Sequence, residues 1–386
     1  MMMLGASPLQ WACELIRYSS VTPHDAGLFQ DLMTVLQPLG GQAHCIQWGD
    51  TKNVYMRWGT QDPHVCFAGH IDVVPPGCSD AWKFPPFQPT QSGGYLYGRG
   101  TADMKGAVGC FLFSLIQHLQ TSPLMGSYSI LLTSDEEGPA LDGIQKMVPW
   151  LKEKQEKIDH ILIGEPTGSA LGSVLQIGRR GSITGTLSVE GVQGHVAYPD
   201  LCYNPIPTLV ACLSDCIEEP LDEGDINFEP SRMSIVGLEP SAIATNVSPS
   251  YAKAQFGIRF NPHHTPETLE QHLHEVCHKH CRDGTYVLDI KRHGSWFVTQ
   301  DMTWIHCVEQ SMQEVTGNLP TYTTRGGTTD GRFLTTLASV LELGMPETTI
   351  HQVNERVLLQ DFDRLSAMYT AILRRYQKTF AYSKSS

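Results

Sequence analysis

Four short apolar runs, at residues 65–68, 130–132, 161–163 and 340–343, each lead into side chains that bind metal ions or move protons. The first is followed by Gly69-His70-Ile71-Asp72, the second by Thr133-Ser134-Asp135-Glu136-Glu137-Gly138, and the third by Gly164-Glu165-Pro166. The fourth leads shortly to His351-Gln352-Val353-Asn354-Glu355. Unbroken apolar runs of this length mark strands buried on both faces. In open α/β sheets, functional side chains collect just beyond the C-terminal ends of such strands. The pattern therefore predicts an α/β fold, a central sheet covered by helices, with its chemistry along one sheet edge. Leu28, Leu32 and Leu36, four apart, predict an early helix, and Val54, Met56 and Trp58 predict an alternating strand.

Between about residues 182 and 290 the pattern changes. Ile183, Leu187 and Val189 mark a strand, and Pro205 opens a helix carrying Ile206, Leu209, Val210 and Leu213. A strand follows near residues 233–236. Ala252, Ala254, Phe256, Ile258 and Phe260 then alternate with Lys253, Gln255, Gly257 and Arg259, a strand with one polar face. Pro266 opens a helix with Leu269, Leu273 and Val276, and Tyr286, Leu288 and Ile290 alternate again. The order β-α-β-β-α-β predicts a ferredoxin-like α+β domain inserted into the α/β domain. The expected boundaries are 1–180 and 294–386 for the two parts of a catalytic domain, and 181–293 for the inserted one. A chain of 386 residues has room for both.

Charge narrows the partners. Lys+Arg 27 against Asp+Glu 40 gives a net −13, which repels phosphate backbones and anionic lipid, so neither nucleic acid nor a membrane is expected. Residues 1–11 lack the basic start and apolar run of a secretory signal, and the longest apolar stretch, residues 107–116, is far short of a bilayer span. Eleven scattered cysteines, an odd number in a chain this large, fit free thiols in a reducing cytoplasm.

Carboxylates and imidazoles brought to one sheet edge repel and are poorly solvated unless cations neutralise them. Two divalent metals meet that need, and a histidine and carboxylate set suits zinc, with cobalt or manganese as substitutes. A glycine-rich turn, Gly98-Arg99-Gly100-Thr101-Ala102-Asp103, delivers a further aspartate to a helix start. That turn mimics a dinucleotide fingerprint, but Asp103 stands at the third glycine position. No Gly-x-Ser-x-Gly elbow or P-loop occurs, and the run Phe111-Leu112-Phe113 is expected in the core. His272, His274, Cys277, His278, His280 and Cys281 all fall in one predicted helix, whereas structural zinc needs ligand pairs from separate elements, so an ordinary helix face is expected there.

The motifs from His70-Ile71-Asp72-Val73-Val74-Pro75 and Tyr97-Gly98-Arg99-Gly100-Thr101-Ala102-Asp103-Met104-Lys105-Gly106 to Ser134-Asp135-Glu136-Glu137-Gly138 and Gly164-Glu165-Pro166-Thr167 recur in one known order. Gly178-Arg179-Arg180-Gly181-Ser182, Gly194-His195-Val196-Ala197-Tyr198-Pro199, Arg325-Gly326-Gly327-Thr328-Thr329-Asp330-Gly331-Arg332-Phe333 and Thr349-Ile350-His351-Gln352-Val353-Asn354-Glu355 continue it. Together they resemble the desuccinylases of the dinuclear zinc metallopeptidase and deacylase superfamily, which includes acetylornithine deacetylase, aminoacylase and glutamate carboxypeptidase. The resemblance runs from about residue 10 to about residue 378.

It implies an amide hydrolase that removes succinate from N-succinyl-LL-2,6-diaminopimelate, with two Zn2+ per subunit or Co2+ or Mn2+ in their place. By the same resemblance His70 and Glu165 hold one metal, Glu137 and His351 the other, and Asp103 bridges. Asp72 orients His70. Glu136 is the general base that carries a proton from the water to the leaving amine. Arg259 grips a substrate carboxylate, His195 reaches the other subunit of a homodimer, and Arg179, Ser182, Asn246, Gly327 and Thr328 complete the substrate contacts.

Two segments depart from the family pattern: Thr245-Asn246-Val247-Ser248-Pro249 lacks one of two asparagines, and Arg325 replaces a small hydroxyl residue. Both touch the expected substrate segments. An N-acetylornithine deacetylase or broader N-acyl amino-acid hydrolase is the nearer rival. A non-catalytic metal- or peptide-binding relative and an NAD-dependent oxidoreductase are the rivals of other classes.

Overall fold

The computed structural model describes residues 4–240, 244–282 and 285–381. Helices α1 (Pro8–Ile16) and α2 (Leu28–Leu36) precede strands β1 (Gln42–Trp48), β2 (Thr51–Trp58) and β3 (His64–His70). Helix α3 (Lys105–Thr121) follows, then β4 (Ser127–Thr133), β5 (His160–Ile163) and β6 (Val174–Gln176). The next stretch holds β7 (Gly181–Glu190), α4 (Pro205–Ile217), β8 (Arg232–Pro240), β9 (Tyr251–Phe260), α5 (Pro266–His280) and β10 (Tyr286–Gly294). The chain ends with β11 (Thr321–Thr323), β12 (Ser339–Glu342) and α6 (Leu359–Tyr376). The contacts cluster into two units, one built from the chain up to Gly178, Thr299–Thr323 and the chain from Thr329, the other from Arg179–Val298 with Thr324–Thr328.

The first unit is built on an eight-stranded mixed sheet in the order β1-β2-β4-β3-β5-β12-β6-β11. Its centre is parallel: β3 pairs with β4 and β5, and β5 with β12. Every residue of β3, β4 and β5 is buried, as unbroken apolar runs require. Strand β2 differs from simple alternation. Tyr55 is buried beside Val54 and Met56, because its hydroxyl reaches Glu156 Oε2 at 2.9 Å and loses no hydrogen bond inside.

Helix α3 is buried almost all round, pressed between the sheet, α1 and α6. Phe111 stacks on Phe67 with ring centroids 4.0 Å apart, and Tyr369 of α6 meets both rings edge-on. At Gly109 a Cβ would come within 2.7 Å of the Ala12 backbone nitrogen, so the absence of a side chain is what lets α1 approach.

The second unit has a four-stranded antiparallel sheet in the order β8-β9-β7-β10. With two helices in the chain order β-α-β-β-α-β, this is the ferredoxin-like arrangement. Ala252, Ala254, Phe256, Ile258 and Phe260 are buried, while the residues between them remain at least partly open. The buried face packs on Leu209 and Leu213 of α4 and on Leu269, Leu273 and Val276 of α5. No helix among the described residues is long and apolar enough to cross a membrane.

Candidate metal centre and active site

The ends of β3, β4 and β5, the turn before α3 and the loop after β12 deliver seven polar side chains to one place in the first unit. His70 is the last residue of β3. Its Nδ1 donates to the carbonyl oxygen of Asp72 at 2.9 Å, and a carbonyl can only accept, so Nε2 is the nitrogen left to face the site. That Nε2 lies 3.1 Å from Asp103 Oδ1 and 3.5 Å from Glu165 Oε1.

Asp72 thus positions His70 through its main chain. Its carboxylate, 3.7 Å from the same Nδ1, also organises the loop after β4, where Oδ2 accepts the backbone N–H of Glu136 at 3.2 Å and of Glu137 at 3.0 Å. The three consecutive acids of that loop divide their roles. Asp135 turns back and accepts the N–H groups of Ala140, Leu141 and Asp142, which closes the loop. Glu136 and Glu137 are left to face the site, where Glu137 Oε1 lies 3.0 Å from His351 Nε2.

Asp103 presents one oxygen to each histidine. Oδ1 faces His70 and Oδ2 lies 3.3 Å from His351 Nε2. The turn that carries it is held by Glu355, whose buried carboxylate accepts from Gly100, Ala102 and Asp103 N–H and pairs with Arg99 at 2.7 Å. Arg99 also donates to the carbonyls of His351 and Gln352, so the two loops are tied to one guanidinium. Beside them the short strands Tyr95–Tyr97 and Arg356–Leu358 pair antiparallel. Behind the turn, Lys105 is fully buried and donates to the Tyr18 carbonyl at 2.7 Å; burial lowers its ammonium to about 7 although Asp72 and Glu355 oppose the shift.

The electrostatics of this cluster are those of crowded anions. Burial and the neighbouring Asp103 push Glu165 up to about 7, and burial with Glu165 nearby holds Glu136 well above the usual carboxylate range. His351 is held up to about 10 by Asp103 and Glu137. Burial pulls the His70 imidazole down, but Asp103 and Glu165 more than reverse it. A dication held by these side chains would supply positive charge to the same oxygens.

The donor set fits divalent metals. Ligand atoms of His70, Asp103 and Glu137 all lie within 4.8 Å of one another, as do those of His70, Glu136 and Glu165. Two nitrogens and several carboxylate oxygens, without sulfur, make a borderline-to-hard set that suits zinc, cobalt or manganese.

Sequence reasoning assigns no role to Glu355, Arg99 or Lys105, and the structure gives each one; it also places Asp330, likewise unassigned, in a buried position. Asp330 is buried, pushed up to about 7 by that burial, and interacts electrostatically with Arg332, His70 and Glu165. Its position inside the glycine-rich motif around Gly326 and Gly327 is a signal; the role of Glu355 is not legible, because its partners lie about 250 residues away in the chain.

The remaining expected substrate residues lie in the second unit. Ser182 and Arg259 are register partners on β7 and β9, and Arg259 Nη1 donates to Ser182 Oγ. Arg179 is buried and donates to the Arg325 carbonyl at 3.3 Å, against Gly326, where a Cβ would collide with its guanidinium. Gly327 is exposed and Thr328 partly so, on the same segment. Arg325 is exposed, with its Nε 2.9 Å from Glu229 Oε1. His195 and Asn246 form a separate pair: His195 faces Val247 across a two-residue bridge, and Val196 N–H donates to the Asn246 carbonyl at 3.0 Å. Both side chains are exposed.

The sequence model of Peptidase family M20/M25/M40 matches residues 66–375. A succinyl-diaminopimelate desuccinylase of Rhodopseudomonas palustris (strain BisB5) is 41% identical over 383 residues, which span 96% of this chain and 98% of that relative. One from Alkalilimnicola ehrlichii is 43% identical over 370 residues, 95% of this chain and 98% of the relative. Among solved structures, an M20 family metallo-carboxypeptidase from Sulfolobus solfataricus superposes with a TM-score of 0.79 at 17% identity, covering 97% of this chain and 100% of that one. A dinuclear metal-binding peptidase of the M20 family from Bacillus subtilis does so with a TM-score of 0.70 at 12% identity, covering 96% and 98%. At such identities the structural likeness carries the fold alone.

Proposed function

The chain belongs to Peptidase family M20/M25/M40, and from that premise we propose that it is a metal-dependent amide hydrolase that removes succinate from N-succinyl-LL-2,6-diaminopimelate. The product is LL-2,6-diaminopimelate, a precursor of lysine and of cell wall. The observation that carries the reading is Asp103, with one carboxylate oxygen toward His70 and the other toward His351.

His70 and Glu165 would hold one dication, Glu137 and His351 the other, and Asp103 would lie between them. Two such ions, zinc or in their place cobalt or manganese, supply Lewis acidity toward an amide carbonyl and lower the pKa of a water. The chain's own residues do the rest. Asp72 fixes the His70 tautomer from its carbonyl and the Glu136-Glu137 backbone from its carboxylate. Glu136, whose backbone is fixed by the Asp72 carboxylate, would take a proton from the attacking water and return it to the leaving amine.

In the second unit, the proposed lid and dimerisation domain, Arg259 and Ser182 form a donor pair for a substrate carboxylate. Arg179, Asn246, Gly327 and Thr328 complete the substrate contacts, and His195 acts across a homodimer. The net charge of −13 disfavours nucleic acid and anionic membranes as partners, so an anionic substrate relies on local positive charge such as that of Arg179 and Arg259, and the free cysteines suit a cytoplasmic enzyme.

The test is a panel of N-succinyl and N-acetyl amino acids, including N-acetylornithine, assayed with added zinc and with chelator. Turnover of succinyl-diaminopimelate above all others, lost on chelation, is the expected result. Preference for acetylornithine would replace the substrate and retain the chemistry; no turnover in any arm would remove both.

A further inference from the structure

Arg325 stands where the family pattern has a small hydroxyl residue, and the proposed chemistry gives it no role. Its place in the second unit is nonetheless closely set. Arg179 donates to its carbonyl at 3.3 Å, and the Thr324 hydroxyl donates to the Asn227 carbonyl at 2.5 Å. The segment is thereby laid beside the loop that carries Glu229. The Arg325 guanidinium takes Glu229 Oε1 through Nε, at 2.9 Å, and through Nη2. These bonds hold the Glu229 carboxyl below its ordinary range despite partial desolvation, so it stays ionised.

The other Glu229 oxygen faces Arg180. Oε2 lies 3.6 Å from Arg180 Nη1, beyond hydrogen-bond reach. Among the described residues the Arg180 guanidinium makes no hydrogen bond, and its Nε is buried without a partner. Arg180 precedes Ser182 by two residues, and Ser182 is the register partner of Arg259. Arg259 in turn bonds Ser182 and, among the described residues, pairs with no carboxylate. Burial lowers both guanidiniums, and the charge of Arg180 lowers Arg259 further.

A half-buried cation without an anion of its own is poorly solvated. Arg180 and Arg259 are two such cations within reach of each other's field, and the carboxylate that could serve Arg180 is drawn toward Arg325. With a small hydroxyl at position 325, Glu229 would be released to close the 3.6 Å gap and occupy Arg180. We propose that Arg325 is a specificity-determining residue: by retaining Glu229 it leaves Arg180 open beside Arg259, so that the second unit takes a ligand with two carboxylates, one for each guanidinium. The inference rests on the hydrolase reading, whose product, 2,6-diaminopimelate, is such a ligand.

The test is calorimetry on the full chain loaded with zinc, using 2,6-diaminopimelate and lysine, which differ by one carboxylate. The unmodified chain should bind diaminopimelate about tenfold or more tightly than lysine. Arg325→Thr should reduce that ratio by about tenfold through weaker diaminopimelate binding, with lysine affinity held, because Glu229 moves onto Arg180. Adding Glu229→Gln to Arg325→Thr should restore the ratio, since an uncharged amide does not compete for Arg180; a merely structural role for Arg325 gives no such recovery. Arg180→Gln should lose the ratio whether or not Glu229 is present. No preference in the unmodified chain, an unchanged ratio in Arg325→Thr, or no recovery in the double variant overturns the inference. Binding is read without turnover, so a chain that hydrolyses succinyl-diaminopimelate and gives any of these results loses the inference and keeps the hydrolase reading.

Discussion

The carboxylate of Glu355 accepts the backbone N–H of Asp103 at 3.2 Å. With Ala102 N–H at 2.8 Å and Arg99 at 2.7 Å, it fixes the turn that aims the proposed bridging carboxylate. Groups that orient metal ligands typically govern affinity by a factor of about 10–100. Glu355→Ala should release zinc to a competing chelator about 10–100-fold more readily, and Glu355→Gln, which keeps an acceptor oxygen, should fall between. Unaltered zinc affinity in both variants would deny Glu355 this role.

Glu136 is assigned proton transfer and no metal. Glu136→Gln preserves shape and should leave zinc content, measured by atomic emission, near that of the unmodified enzyme. Its kcat should drop by about 10²–10⁴. A variant that binds zinc and turns over at the original rate would refute the assignment.

Arg259 presents a planar guanidinium beside Ser182 on the polar face of β9. Arg259→Lys retains charge and loses the two-pronged donor. The expected effect is a KM raised about tenfold with a smaller change in kcat, read from steady-state rates. The opposite split, kcat lost at constant KM, would place Arg259 in the chemical step instead.

His64 gives folding stability a pH dependence away from the site. Burial lowers its imidazole from 6.5 to about 4, with Nδ1 facing the Lys157 carbonyl at 2.7 Å and Nε2 facing Ser129 Oγ at 2.8 Å. Between those pH values the unfolded chain binds the proton and the folded chain does not. Stability attributable to His64 is therefore complete above 6.5 and declines as pH falls toward 4, by about 3 kcal/mol in all. Urea unfolding across that window should show a steeper acid loss in the unmodified chain than in His64→Gln; parallel curves would exclude His64 as the cause.

Phe111 holds α3 to the sheet through its stack on Phe67 and its edge contact with Tyr369. Phe111→Ala should lower unfolding free energy by about 3–5 kcal/mol, measured by denaturant titration. A loss below about 1 kcal/mol would mean that the surrounding rings collapse into the space.

The positions brought to the site are legible in the sequence where chain continuity alone sets them. His70, Glu136, Glu137 and Glu165 each follow a run buried on both faces, so a buried strand end already places them. The second unit is legible for a similar reason, since strict alternation in β9 and paired helices leave one topology. What sequence could not reveal depends on partners distant in the chain. Asp72 is expected from sequence to orient His70, but its carboxylate proves also to hold the backbone of residues 136 and 137. Cys212 and Cys281 meet although 69 residues separate them.

The loop from Gly98 to Asp103 and the loop from His351 to Glu355 are fastened together by Arg99 and Glu355. A nascent polypeptide that has not yet emerged past His351 therefore carries a loose Asp103 and neither His351 nor Glu355, however well its central strands have already formed. Assembly of the centre is a late event in synthesis, and a chain cut short before that point is an inert one.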